Sequence, residues 1–232
     1  MSAISLLTLD LDNTLWDVES IIVKADEDMH AWLGQHYPAS QALGVSGFQA
    51  IRQQVIAERK DIAHDFTAMR LTMLEQLLLA TGYDEDQSRT GAAGAFDVFY
   101  TGRNRVVLFD GVADTLDQLS QRFPLFALSN GNADITKMPI APYFRANFSA
   151  ESVGAAKPDP APFLAALRYA GVSPNGAVHV GDHPEQDVAA AQAVGMRAIW
   201  FNPQHAKWPL AGKPDAQVHA LADLAEAITS LN

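Results

Sequence analysis

The chain has 232 residues, 48% of them hydrophobic, which suits one large domain or one domain carrying a small insert. Its 16 Lys and Arg stand against 27 Asp and Glu, and the net charge of −11 argues against nucleic acid or an anionic membrane face as the main partner. Zero cysteines exclude disulfides, a thiolate zinc site and a cysteine nucleophile, leaving aspartate, serine or metal-bound water to attack. A small phosphorylated substrate stays open, because attraction to it is local. No apolar run is long enough to span a bilayer, and the first residues lack the basic start and cleavage site of a signal peptide, so the cytoplasm is the expected compartment.

In chain order, the apolar run Ile4 to Leu9 reads as a strand buried on both faces. Asp10-Leu11-Asp12-Asn13-Thr14-Leu15 follows it directly, so two carboxylates two residues apart leave the strand's carboxyl end on one side. Taken alone, the pair is equally a turn whose side chains cap nearby amides. From Trp16 to about Thr101 helical spacing replaces the strand signal. Val18, Ile21, Ile22, Ala25, Met29, Trp32 and Leu33 form one apolar stripe, and Phe48, Ile51, Val55 and Ile56 a second. Phe66, Met69, Met73, Leu74, Leu77 and Leu78 form a third, which Gly82 stops. This block, 16–101, is expected to be an inserted α-helical cap domain, with 1–15 and 102–232 forming the core domain. From Val106 an α/β alternation resumes, with strands near 124–128, 146–149, 177–181, 197–201 and 216–219. Six strands with right-handed crossovers fit a doubly wound, Rossmann-like parallel sheet in order 3-2-1-4-5-6, with ligands at the carboxyl edge.

Three further motifs end at that edge. Ser129-Asn130-Gly131-Asn132 follows a strand; Gly131 would allow a sharp turn, and the hydroxyl and amides suit a phosphate oxygen. In Lys157-Pro158-Asp159-Pro160 the first proline would hold Lys157 extended, and Asp159 reads as the cap of a helix over Ala161 to Ala170, closed by Gly171. In Gly181-Asp182-His183-Pro184-Glu185-Gln186-Asp187, Asp182 ends a strand and Asp187 opens a helix running to about Val194. If the strands before Asp10 and Asp182 are neighbours, Asp10, Asp12, Asp182 and Asp187 converge. Two like charges ~4 Å apart repel by about 4 kcal/mol at an effective dielectric of ~20, so the cluster calls for cations. Lys157 would supply one and a hard divalent ion the rest, with Mg²⁺ favoured over Ca²⁺ because few protein ligands leave room for waters and a phosphate oxygen. A carboxylate nucleophile, a metal and a lysine around one point are the parts for phosphoryl transfer through an aspartyl-phosphate.

Together, in this order, the four motifs resemble the haloacid dehalogenase-like (HAD) hydrolase superfamily, and the resemblance covers essentially the whole chain. It implies that Asp10 is the nucleophile and a ligand of Mg²⁺, and that Asp12 is the general acid and then base, its backbone carbonyl a second ligand. It further implies that Ser129 and Asn130 hold phosphate oxygens, that Lys157 neutralises the nucleophile and the transferring group, and that Asp182 ligates the metal. Asp187 would orient the metal's waters or Lys157, and Thr14 would brace the first loop. Within the superfamily the chain is similar to bacterial phosphatases acting on FMN and on the phosphorylated ribitylaminouracil of riboflavin synthesis. That similarity lies in His64-Asp65-Phe66-Thr67 with Arg70, Glu75-Gln76, Asn130-Gly131-Asn132-Ala133 and His179-Val180-Gly181-Asp182; Asn13 departs from it, standing where that type has a third acid.

The resulting expectation is a Mg²⁺-dependent phosphomonoesterase acting on a small phosphorylated metabolite, a monomer or homodimer, whose cap selects the substrate by closing over the site. Arg70 is the preferred cap residue for gripping substrate, ahead of Arg52, Arg59, Lys60 and His64. Trp16 and Trp32 would pack in the core or at the hinge, or stack on a flat ring. The seven histidines lack zinc spacing, and His183 lies inside the fourth motif. A phosphomutase or phosphotransferase would use the same covalent step, while a haloacid dehalogenase would leave Asp12 without a task. A phospho-accepting signalling domain would need neither Asp12 as acid/base nor a large cap, and the complete acidic set argues against an inactive binding protein.

Overall fold

The computed structural model describes residues 3–231. They form two compact units, one of Val18–Val106 and one of the described residues before and after it.

The first unit is helical: α1 (Val18–His36), α2 (Gly44–Glu58), α3 (Phe66–Ala80) and α4 (Glu85–Arg103). Ala25, Met29 and Leu33 from α1 meet Leu74, Leu77 and Leu78 from α3 around Ala92, Ala95 and Phe99 of α4. Sequence periodicity found the first three helices and not α4, whose Gly- and Ala-rich stretch carries little apolar signal. Packing explains that composition. A Cβ on Gly94 would lie 2.5 Å from the Trp32 ring, and one on Gly102 would lie 3.0 Å from the Ala25 side chain, so the small residues let α1 and α4 approach closely. Asp84 and Gln87 close a capping box at the start of α4. Two residues of the expected stripes, Ile56 and Phe66, are instead exposed, because they stand at the last and first turns of α2 and α3. Trp32 stacks on His36 and packs against this core.

The second unit begins with β1 (Leu6–Leu9) and continues with α5 (Val112–Ser120), β2 (Leu125–Ser129), β3 (Phe144–Ser149), α6 (Ala150–Val153), α7 (Ala161–Ala170) and β4 (Ala177–Gly181). A π-helical turn, Pro184–Ala189, runs into α8 (Ala190–Ala193), followed by β5 (Arg197–Phe201), β6 (Ala216–Val218) and α9 (Leu224–Ser230). All strand pairs are parallel, and the sheet order is β3-β2-β1-β4-β5-β6. The expected doubly wound topology is therefore the observed one. Every residue of β1, β2 and β4 is buried, as central strands covered on both faces require. β1 starts at Leu6 instead of Ile4, because its pairing begins where Leu6 meets Ala177, the first residue of β4.

Two local readings change. Pro160, not Asp159, is the cap of α7, although the Asp159 carboxylate still accepts from the Ala161 amide at 2.8 Å. Gly131 is not among the glycines with positive φ; the left-handed residue of the site loops is Asn13, at φ 61°. The Lys157–Pro158 peptide bond is cis.

Candidate active site

Parallel pairing aligns the functional loops. Leu9 lies opposite Val180 on one side of β1 and opposite Ala127 on the other. The Asp10 amide donates to Val180 O at 2.9 Å, so Asp10 and Asp182 leave neighbouring strands at one edge, with Ser129 ending β2 on the far side.

Lys157 stands at the centre of the site and is 3% exposed. Its Nζ donates to Asp10 Oδ1 at 2.7 Å, to Asp187 Oδ1 at 2.6 Å and to Leu128 O at 2.8 Å, using all three protons. Asn130 fixes its backbone from both sides, with Oδ1 accepting from the Lys157 amide at 2.7 Å and Nδ2 donating to Lys157 O at 2.8 Å. The same Nδ2 donates to Gln186 Oε1 at 3.0 Å. Asp187 Oδ2 accepts from the His183 amide at 2.9 Å, and Oδ1 lies 3.1 Å from His179 Nε2. The Thr14 hydroxyl sits 3.3 Å from Asp10 Oδ2 and 3.4 Å from Asp182 Oδ1. Trp200 Nε1 donates to Asp182 O at 2.7 Å, tying the fourth motif to β5. The Ser129 hydroxyl accepts from the Gly131 amide at 3.0 Å.

Oxygen atoms of Asp10, Asp182 and Asp187 all lie within 4.8 Å of one another. Three carboxylates against one ammonium leave two negative charges without a counter-charge, and the site shows the strain electrostatically. Burial pushes the Asp10 carboxyl well above the ordinary carboxylate range; Lys157 opposes this, and Asp187 and Asp182 reinforce it. Burial, followed by the Asp187 charge, pushes Asp182 up to about 7. Burial alone would lower the Lys157 ammonium, but the adjacent Asp10 and Asp187 hold it above its usual value. Burial likewise opposes ionisation of Asp187, where Lys157 and His179 prevail and keep it low. Buried hard oxygen donors with two charges in excess fit one hard divalent cation.

The fourth expected carboxylate stands apart from this set. The chain turns through Asn13, and the Trp16 ring returns over the loop, where its Nε1 donates to Asp12 Oδ1 at 2.8 Å. Trp16 is fully buried and bridges to Asp12 and Leu108. Arg70, in the helical unit, pairs through Nη1 with Asp26, and its guanidinium lies 3.5 Å over the Phe99 ring. Arg59 pairs with Asp61. The His183 ring accepts from the amides of Glu185 and Gln186 and so caps the π-helical turn.

Sequence reasoning gave no role to Thr8, His179, Gly181 or Gln186. A signal was available for the first two: each is polar inside a strand otherwise apolar and buried on both faces, where polar groups need a partner.

Residues 4–195 match the family described as "Hydrolase: haloacid dehalogenase-like hydrolase". The chain is 30% identical to the 5-amino-6-(5-phospho-D-ribitylamino)uracil phosphatase YigB of Escherichia coli K12, over 98% of each chain. It is 27% identical to phosphoglycolate phosphatase 1 of Pseudomonas aeruginosa PAO1, over 94% of this chain and 78% of that protein. Among solved structures it resembles a 2-haloacid dehalogenase from Pseudomonas syringae pv. Tomato DC3000, with a TM-score of 0.96 and 42% identity, covering 99% of this chain and 100% of that one. No helix among the described residues is long and apolar enough to cross a membrane.

Proposed function

The chain belongs to the haloacid dehalogenase-like hydrolase family, and on that premise we propose that it is a Mg²⁺-dependent phosphatase of small phosphorylated metabolites. The observation that carries this reading is the buried triangle of Asp10, Lys157 and Asp187 with Asp182 beside it, short by two positive charges. A divalent ion held by Asp10, Asp182 and the backbone carbonyl of Asp12 would supply those charges and polarise the phosphoryl oxygens. Mg²⁺ is proposed because carboxylate oxygens suit it and its octahedron keeps sites for water and phosphate.

In this reading a carboxylate oxygen of Asp10 attacks phosphorus, the ester P–O bond breaks, and Asp12 gives its proton to the leaving oxygen. Water then attacks the aspartyl-phosphate, Asp12 takes up a proton from it, and inorganic phosphate leaves with Asp10 restored. Lys157 opposes the burial that disfavours the Asp10 anion and offsets charge on the transferring group. The Ser129 hydroxyl accepts from Gly131 and so has its proton to offer a phosphate oxygen. The Asn130 side chain is engaged with Lys157 and Gln186, so a hold on phosphate from this residue would come from its backbone amide. Trp16 orients Asp12 for proton transfer. The helical unit is the proposed cap; the likeness to YigB makes the phosphorylated ribitylaminouracil the first substrate to try, and the motif resemblance adds FMN. The cytoplasm is the proposed compartment.

Phosphate release from a metabolite panel tests the reading, run with Mg²⁺ and with chelator, with Asp10→Asn as the control. Metal-dependent turnover that vanishes in Asp10→Asn supports it; the absence of turnover on every phosphate ester overturns it. Haloacid dehalogenation, the activity named for the Pseudomonas syringae structure, is the alternative; there Asp10 would displace a halide from carbon and Asp12 would have no task. Halide release from 2-chloropropionate without metal would establish that one instead.

A further inference from the structure

The buried imidazole of His179 takes no part in the chemistry described, yet it touches the group that holds Lys157. Thr8 and His179 are register partners in β1 and β4, so their side chains stand together on one face of the sheet. Thr8 Oγ1 lies 2.8 Å from His179 Nδ1, and His179 Nε2 lies 3.1 Å from Asp187 Oδ1. Gly181 comes two residues later on that face, and the space left by its missing side chain is where the Asp187 carboxylate sits, 2.3 Å from the position a Cβ would take. The edge of the His179 ring is further fixed by Phe163, with centroids 5.1 Å apart.

Hydrogen-bond counting decides which nitrogen carries the proton. An ionised Asp187 only accepts, and Lys157 holds it ionised, so Nε2 must donate. A second proton on Nδ1 would make a buried cation of the ring and leave the Thr8 hydroxyl only Val178 O to donate to, at 3.5 Å. Burial in fact pushes His179 below its ordinary value, toward the neutral ring. The chain of donors therefore runs from the Thr8 hydroxyl to Nδ1, and from Nε2–H to Asp187.

We propose that Thr8 and His179 are positioning residues that hold the Asp187 carboxylate, and through it the Lys157 ammonium, in register with Asp10. The proposal rests on the phosphatase reading for its kinetic consequence and on geometry alone for its tautomer. Asp187 Oδ1 receives both Lys157 Nζ and His179 Nε2, while Oδ2 receives the His183 amide. Without the imidazole donor the carboxylate is free to turn toward a single partner, and Lys157 loses one of the two anions that centre it. Displacements of ~1 Å in such a group lower turnover by up to about 10²-fold, whereas ground-state binding of substrate by other groups is little changed.

The test compares Thr8→Val, His179→Leu and His179→Gln, whose amide can replace Nε2 as donor. In variants that keep the wild-type circular dichroism, kcat is expected to fall about tenfold to 10²-fold for Thr8→Val and His179→Leu with KM within about twofold, and Gln should recover most of the loss over Leu. Folded Thr8→Val and His179→Leu with wild-type kcat overturn the proposal, as does a matching rise in KM alone. Should His179→Leu fail to fold, Thr8→Val decides the kinetic part. Nitrogen-15 spectra of the wild type read the ring directly: a neutral Nε2–H tautomer supports the proposal, and an imidazolium or an Nδ1–H tautomer overturns it. A wild type inert toward phosphate esters sinks the phosphatase reading only. The Lys157 ammonium signal then serves as the readout, expected to shift in Thr8→Val, and its constancy overturns the positioning role.

Discussion

Gly181→Ala is the smallest change that should break the site. A Cβ at this position would lie 2.3 Å from Asp187 Cγ and 2.4 Å from its Oδ2, where ordinary contact begins at 3.4 Å. One partner must therefore retreat by about 1 Å. The Gly181 backbone is held in β4 against Trp200 of β5, which leaves the Asp187 side chain to move. Its bond to Lys157 is 2.6 Å and its bond to the His183 amide 2.9 Å, and a shift of that size carries either beyond hydrogen-bond range. Overpacking costs about 1–3 kcal/mol, and one lost hydrogen bond to a charged group about 1.5–3 kcal/mol. A combined loss near ~4 kcal/mol would lower Tm by about 8–16 °C in a chain of this length. The same displacement moves Lys157 relative to Asp10, for an expected drop in kcat of about 10²-fold. Thermal unfolding by circular dichroism and saturating phosphate-release assays measure both. An alanine variant within about 1 °C and twofold of the wild type would refute the claim that Asp187 occupies the space beside Gly181.

Trp16→Phe keeps most of the ring and removes the Nε1 donor to Asp12. Turnover is expected to fall about tenfold to 10²-fold, the equivalent of one bond to a charged group, in phosphate-release assays; unchanged kcat would mean that Asp12 is oriented by something else. Arg70→Leu removes a partly exposed pair with Asp26 and a contact over the buried Phe99 ring, so urea denaturation should show a loss of about 1–2 kcal/mol. An intact stability with raised KM would instead assign Arg70 to the substrate. In chelator, protein stability should depend on pH in a defined sense. Asp182 is raised from 3.8 to about 7 and Asp10 is raised as well, so between about pH 4 and 7 these two groups bind more protons in the folded state than in the unfolded one, an excess that the lowered His179 offsets only in part. The metal-free protein should thus lose Tm as pH rises through that window, and saturating Mg²⁺ should remove the slope. A slope of equal size with and without Mg²⁺ would separate the carboxylates from metal binding.

The fold was legible because its signals are local and repeated. Short apolar runs bounded by turns marked the central strands, and the crossover rule then fixed their order. What stayed hidden depends on partners distant in sequence. Helix α4 is poor in large apolar residues because its glycines let α1 and α3 pack closely, so the composition of the segment is explained by its neighbours. The exposure of Ile56 and Phe66 is likewise decided at helix ends, where a stripe runs out of partners.

For the site, reasoning from charge alone led to four acids converging, and the structure divides them. Repulsion and the need for cations describe Asp10, Asp182 and Asp187, which share one buried space with Lys157. Asp12 lies outside that set; the chain turns left-handed at Asn13, and the Trp16 indole N–H donates to Asp12 Oδ1. Nothing in the spacing of Asp10 and Asp12 encodes this, since both leave the strand on one side. The division suits the proposed chemistry. In that reading a nucleophile must ionise, which Lys157 and a bound cation would favour, whereas an acid/base must both give and accept a proton. In the proposed reading, the indole bond to Asp12 and the ammonium bond to Asp10 would suit two carboxylates two residues apart to opposite ends of one reaction.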